Sequence, residues 1–168
     1  CTEQPAKLQT ANIPSYNEQM EYRRLGKTEM MVSAVCLGGH WKRIEKAVPG
    51  VLKSKSWLSA NIQKDGFKKN RRAVIDRCIE RGINYVDACT REEVVAYSEA
   101  LRGRRDRMYF GFSWYQEEMR NKNFRTCAKL LETLEKGMTA AKLDHVDLWR
   151  IVLISRSSRH TDGEMEEC

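Results

Sequence analysis

The sequence is poor in several features, and each shortage narrows its class. It has no run of about 18 apolar residues, so no segment is built to cross a membrane as a helix. It has no Cys-x-x-Cys pair, and its three histidines stand at no zinc-finger spacing from its six cysteines. That removes the familiar structural zinc patterns, and no metal ligands are assigned on spacing. It also lacks Gly-x-Gly-x-x-Gly, the pattern with which a strand-to-helix turn cradles a dinucleotide pyrophosphate. At 168 residues it is too short for a complete example of any fold that needs roughly 250 residues.

What is present is globular. A hydrophobic content of 41% excludes a disordered chain, and 32% charged residues spread along the length exclude a fibre. One domain with a true core is expected. Lys and Arg number 30 against 23 Asp and Glu, a net charge of +7. The basic residues gather locally at Lys68, Lys69, Arg71 and Arg72, and again at Arg102, Arg104, Arg105 and Arg107. These read as a solvated helix start and a basic turn, so nucleic acid is not an expected partner. Cys36, Cys78 and Cys127 fall in apolar periodic positions, where cysteine acts as a small buried hydrophobe. That usage points to a reducing, cytoplasmic compartment. Cys1 leaves two alternatives open: a processed, lipid-modified N-terminus of an exported lipoprotein, or a fragment.

Residues 1–19 are polar and read as a disordered lead-in to a domain over 20–168. Tyr22-Arg23-Arg24-Leu25 and Met30-Met31-Val32, separated by Gly26-Lys27-Thr28, predict a β-hairpin. The apolar run Ala34-Val35-Cys36-Leu37, ended by Gly38-Gly39, predicts a strand buried on both faces and then a tight turn. Residues 40–66, with His40, Trp41, Pro49, Gly50 and Trp57, form a long loop, either a binding loop or an insertion. Its aromatics, with Trp114 and Tyr115, either line a pocket or pack the loop down.

Phe67 to Arg81 predicts a helix with Phe67, Arg71, Val74, Ile75, Cys78 and Ile79 on one face, Asp65 as cap and Gly82 as stop. There follow a strand at 85–88, a helix from Glu92 to Arg102 stopped by Gly103, and a strand at 107–112. A third helix carries Phe124, Cys127, Leu131, Leu134, Met138 and Ala141, and a last strand spans 146–153. This α/β alternation means a parallel sheet covered by helices, whose chemistry sits at the carboxyl ends of the strands. Those ends carry His40, then Asp87, Cys89 and Arg91, then Ser113 and Trp114, then residues 152–155. A weak anion site at Ser157-Ser158-Arg159-His160-Thr161 is a further expectation.

Four of these segments together resemble a known family. Tyr22-Arg23-Arg24-Leu25-Gly26-Lys27-Thr28 with Val32-Ser33 and Leu37-Gly38 is similar to the N-terminal hairpin and first strand of the aldo-keto reductases. Arg81-Gly82-Ile83-Asn84-Tyr85-Val86-Asp87-Ala88 resembles the family's second-strand motif. Gly103 to Tyr109 resembles the approach to its third strand, and Leu143 to Ile151 its fourth. The resemblance implies a TIM barrel, here truncated to about four strands, with an N-terminal hairpin plugging its bottom. It also implies NAD(P)H-dependent carbonyl reduction, with NADP or NAD as cofactor. In the family a Tyr protonates the carbonyl oxygen, a Lys held by an Asp tunes that Tyr, and a His orients the substrate.

Of that tetrad only Asp87 has a counterpart in this chain. Glu92 stands at the Tyr position, Ser113 and Trp114 at the Lys position, and Val152 to Ile154 at the His position. The family's dinucleotide site is built largely after the late strands, which the chain does not reach. The expectation is an aldo-keto-reductase-like oxidoreductase that is catalytically incomplete as this chain. The alternative is a non-catalytic half-barrel acting by self-association or partner binding. Asp87, Glu92 and His40 are the candidate site residues, Glu92 or Asp87 as a general base. With Cys89 and Arg91 they form either a working cluster, in which His40, Asp87 and Cys89 bind metal, or an inherited polar rim; the rim is preferred. Open sheet edges predict a homo-oligomer.

Overall fold

Alternation on either side of Gly26 folds as expected, because that glycine takes the left-handed conformation (φ +57°) that a tight reversal requires. A computed structural model of the protein describes residues 10–41, 61–118 and 121–151. In it β1 (Tyr22–Arg24) pairs antiparallel with β2 (Met31–Ser33), placing Tyr22 opposite Ser33. Of the expected lead-in, the part from Thr10 onward has structure of its own. A 3-10 turn at Thr10–Asn12 leads to Ile13 and Ser15, both buried, and Ser15 Oγ donates to the Arg107 carbonyl.

Downstream, β3 (Leu37–Gly38), β4 (Tyr85–Ala88), β5 (Tyr109–Phe112) and β6 (Leu148–Trp149) form one parallel sheet in the order β3-β4-β5-β6. The helices α1 (Asp65–Glu80), α2 (Arg91–Ala100) and α3 (Cys127–Ala141) connect successive strands. The hairpin docks at the amino end of β4. Asn84, fully buried, accepts from the Ser33 amide and donates Nδ2–H to the Met31 carbonyl, while Tyr22 donates its hydroxyl to the Gly82 carbonyl. The order and this docking agree with a mixed α/β fold of the expected kind.

Strand alternation divides the sheet. Val86, Ala88, Phe110 and Phe112 face the helices and are buried, packed with Ile75, Val94, Tyr97 and Leu101. Tyr85 and Asp87 point to the opposite face and are half-buried.

The helix ends follow local chemistry. Gly82 (φ +76°) closes α1, with the Gly82 amide bonded to the Ile79 carbonyl and the Ile83 amide to the Cys78 carbonyl, a Schellman motif. Asp65 is not the cap. It is the first helical residue, where its charge favours the helix dipole, and Lys64 holds the cap position without a side-chain bond.

Three expectations about burial are corrected. The run Ala34 to Leu37 is not buried on both faces: Val35 is 56% exposed and Cys36 is exposed. The reason is that Val35 and Cys36 precede the strand: β3 covers only Leu37–Gly38 and is itself an edge strand, paired with β4 among the described residues. Cys127 is exposed as well, at the first turn of α3. The apolar face assigned to α3 is rotated, since its buried stripe is Leu130, Thr133, Gly137 and Ala141, while Leu131 is 47% exposed. The third strand begins at Tyr109, because Arg105–Arg107 turn as a 3-10 helix. The last strand is short, and its expected continuation from Val152 lies outside the described residues.

Candidate functional site at the carboxyl ends of the strands

His40 leaves β3, Cys89 leaves β4 and Arg150 leaves β6, so the parallel register brings all three to one rim. Asp87, the last inward-facing residue of β4, accepts from Arg150 through Nη2 (2.8 Å) and Nε (3.2 Å). Burial works against the Arg150 charge, but the Asp87 carboxylate and Cys89 outweigh it and hold the guanidinium above its ordinary pKa. A cation for Asp87 therefore comes from β6 rather than from β5. Its signal in the sequence is a lone Arg inside an apolar strand run.

The second group centres on Glu93, which sequence reasoning missed. Thr90 caps α2 and Glu93 closes a capping box: the Thr90 hydroxyl accepts from the Glu93 amide, and the Glu93 carboxylate accepts from the Thr90 amide. The same Oε2 also accepts from the Cys89 amide at 2.9 Å. Its other oxygen, Oε1, contacts His40 Nδ1, and Cys89 Sγ lies 3.9 Å from the same nitrogen. Glu93 is fully buried, whereas the His40 side chain is 47% exposed. Burial, with Glu93 beside it, pushes the Cys89 thiol up to about 12. Gly39 makes this possible, since a Cβ there would meet Glu93 Oε2 at 2.5 Å and the Asp87 carbonyl at 2.6 Å. Gly38 has open space, so the glycine pair serves a close approach at its second member.

The remaining expected residues go elsewhere. Glu92 accepts from Gln116 at 3.3 Å, and Arg91 pairs with Glu117 and lies over the Trp114 ring. Ser113 is buried and donates to Glu118, itself 1% exposed, which also accepts from the Trp114 amide. Trp41 is buried edge-on against Phe67 and Tyr97, and Trp114 stacks on Phe112, so both belong to packing. Trp57, residues 152–155 and the expected anion site at 157–161 lie outside the described residues. In the basic turn, Arg102, Arg104 and Arg105 are each paired, with Glu99, Asp76 and Asp147.

With the rim in place, the chain can be set beside solved structures. It aligns with the crystal structure of PA4992, a candidate aldo-keto reductase from Pseudomonas aeruginosa, with a TM-score of 0.50 and 14% identity over 86% of this chain. The likeness is one of fold. The chain spans about half of that structure, 50% of its length. No family model matches the sequence. No curated protein matches it either.

An aldo-keto-reductase-like fold would imply a nicotinamide cofactor in that family. A groove lined by Ile62, Phe67, Lys68, Arg72, Val95 and Glu99 lies between α1 and α2, with no strand residue in its wall. It encloses about 180 Å³, less than the ~300–1,000 Å³ of usual small-molecule sites. No described helix is long and apolar enough to cross a membrane.

Proposed function

We propose that the described strands correspond to the first four of an aldo-keto-reductase-like barrel and that the chain by itself does not complete carbonyl reduction. The observation that supports this reading is the Asp87–Arg150 pair at the carboxyl rim of a parallel sheet preceded by a docked hairpin. The family's general acid needs a phenol beside a cation. Glu92 offers a carboxylate turned to Gln116, and Ser113, at the Lys position, is bound to Glu118. Asp87 keeps the anion and Arg150 supplies a cation, but the position at which the family carries its proton donor holds Glu92. General acid catalysis from the family's Tyr position is thereby removed.

Among the described residues β3 and β6 each keep an unpaired edge, and with Val35 exposed beside β3 this favours self-association. The test is titration of the chain with NADPH and NADH, followed by tryptophan fluorescence and by cofactor oxidation with an aldehyde present. Neither quenching nor turnover is expected, and sedimentation should give a dimer or larger species. Turnover dependent on Asp87 would overturn the incomplete-enzyme reading, and a monodisperse monomer would overturn self-association.

A further inference from the structure

We propose that His40, Cys89 and Glu93 form a site for one divalent transition-metal ion of the zinc type, with a fourth position open to solvent. This goes beyond the fold-based reading and does not rest on it. Each residue offers one ligand atom, and Nδ1, Sγ and a carboxylate oxygen all lie within 4.8 Å of one another. A tetrahedral ion with bonds of about 2.0–2.3 Å needs its ligands roughly 3.3–3.8 Å apart, so small side-chain adjustments close the set. The His40 side chain is half-exposed at the end of β3, the most open of the three.

Glu93 is built for the role. Its Oε2 is held by the Cys89 and Thr90 amides, which fixes the carboxylate and presents Oε1 to the rim, as outer-shell donors do for metal ligands. A wholly buried carboxylate needs positive charge, and the ion partner it has is an imidazole that is charged only when protonated. A thiolate and a carboxylate would together neutralise a divalent ion. Next to the site Arg150 pairs with Asp87 and also reaches the Cys89 side chain, where a bound ion would compete with it. The mixed sulfur, nitrogen and oxygen set suits zinc or cobalt over calcium or magnesium, which take oxygen alone.

The rival use of the same residues is a nucleophilic Cys-His-Glu triad. A triad requires the thiol on one imidazole nitrogen and the carboxylate on the other. Here both meet Nδ1, which is convergence on a single point rather than a relay.

The full chain, prepared metal-free under reducing conditions and titrated with Co²⁺, should bind one equivalent with a thiolate-to-cobalt charge-transfer band that Zn²⁺ abolishes. Cys89→Ser should remove the band. His40→Ala should weaken binding by more than the ~10–100-fold that loss of an outer-shell partner costs. Because His40 is half-exposed, that variant reports on the site even where Cys89→Ser fails to fold. A Cys36→Ser/Cys127→Ser variant, altered only at exposed thiols, should keep the band. Absence of the band in the unaltered chain would overturn the proposal. So would its survival in both Cys89→Ser and His40→Ala, or its loss with Cys36 and Cys127.

Discussion

Gly38 and Gly39 are neighbours in one turn, yet the structure asks opposite things of them. A Cβ at Gly39 meets a fully buried carboxylate and the backbone carbonyl of Asp87, and neither can move without disturbing β4 or the α2 cap. Gly39→Ala should therefore cost about 1–3 kcal/mol, the usual penalty of overpacking. Gly38→Ala, with open space and no left-handed conformation to keep, should stay within about 0.5 kcal/mol of the native chain. Urea midpoints of the two variants decide this, and equal effects would show that Gly39 is not a close approach. The residue that imposes the requirement was legible in part. Thr90-Arg91-Glu92-Glu93 carries the Ser/Thr-x-x-Glu signature of a capping box, which identifies Glu93 as a buried acceptor at a helix start. The family offset of five residues from Asp87 falls instead on the neighbouring Glu92. An offset places a residue along the chain, but the direction its side chain takes is set by the helix that begins at Arg91.

At the scale of elements, legibility followed how local the signal is. The hairpin and α1 are written in short-range terms: Gly26 and Gly82 sit where a positive φ is needed, and the apolar face of α1 repeats at helical spacing. The edge position of β3 depends on which strands pair, a property of the assembled sheet, and an apolar run alone cannot reveal it. α3 failed for a different reason. Beyond Leu130 its buried stripe is Thr133, Gly137 and Ala141, and Gly137 lets the rings of Phe112 and Trp114 approach so closely that a Cβ would lie 2.5 Å and 2.8 Å from them. A search for large apolar residues passes over such a stripe and selects Leu131 instead. Gly137→Ala sets two effects against each other. Helix propensity should gain about 1 kcal/mol. Both rings are about 99% buried and have nowhere to go, so overpacking of ~1–3 kcal/mol should win. Thermal unfolding should show a net loss in Gly137→Ala and almost none in Leu131→Ala; a stabilised Gly137→Ala would mean that α3 stands further from the sheet.

For the whole molecule, the face of the sheet away from the helices governs how stability responds to alkali. Tyr85 stands on that face beside Asp87, with Arg150 and Cys36 also near it. Burial, reinforced by the Asp87 carboxylate and only partly offset by Arg150, pushes its phenol up to about 12 from the ordinary 10.0. Burial raises Tyr22 and Tyr109 at the hairpin end of the sheet in the same direction. A raised tyrosine pKa means that the unfolded chain releases its proton first. The stability contributed by the raised tyrosines is then fully present below about pH 10 and falls as the pH climbs towards 12. The slope comes from the proton that the folded chain keeps and the unfolded chain has lost. Tyr85 alone should remove about 1–2 kcal/mol across that window, after allowance for its partial exposure. Urea midpoints at stepped pH, with phenolate absorbance followed in parallel, should show unfolding and phenolate formation rising together. Tyr85→Phe should flatten the slope by making that position insensitive to alkali. If Tyr85→Phe keeps the full slope, the half-buried face does not shield its phenol, and the alkaline loss comes from the other raised groups, Cys78, Cys89, Tyr97 and the hairpin-end tyrosines.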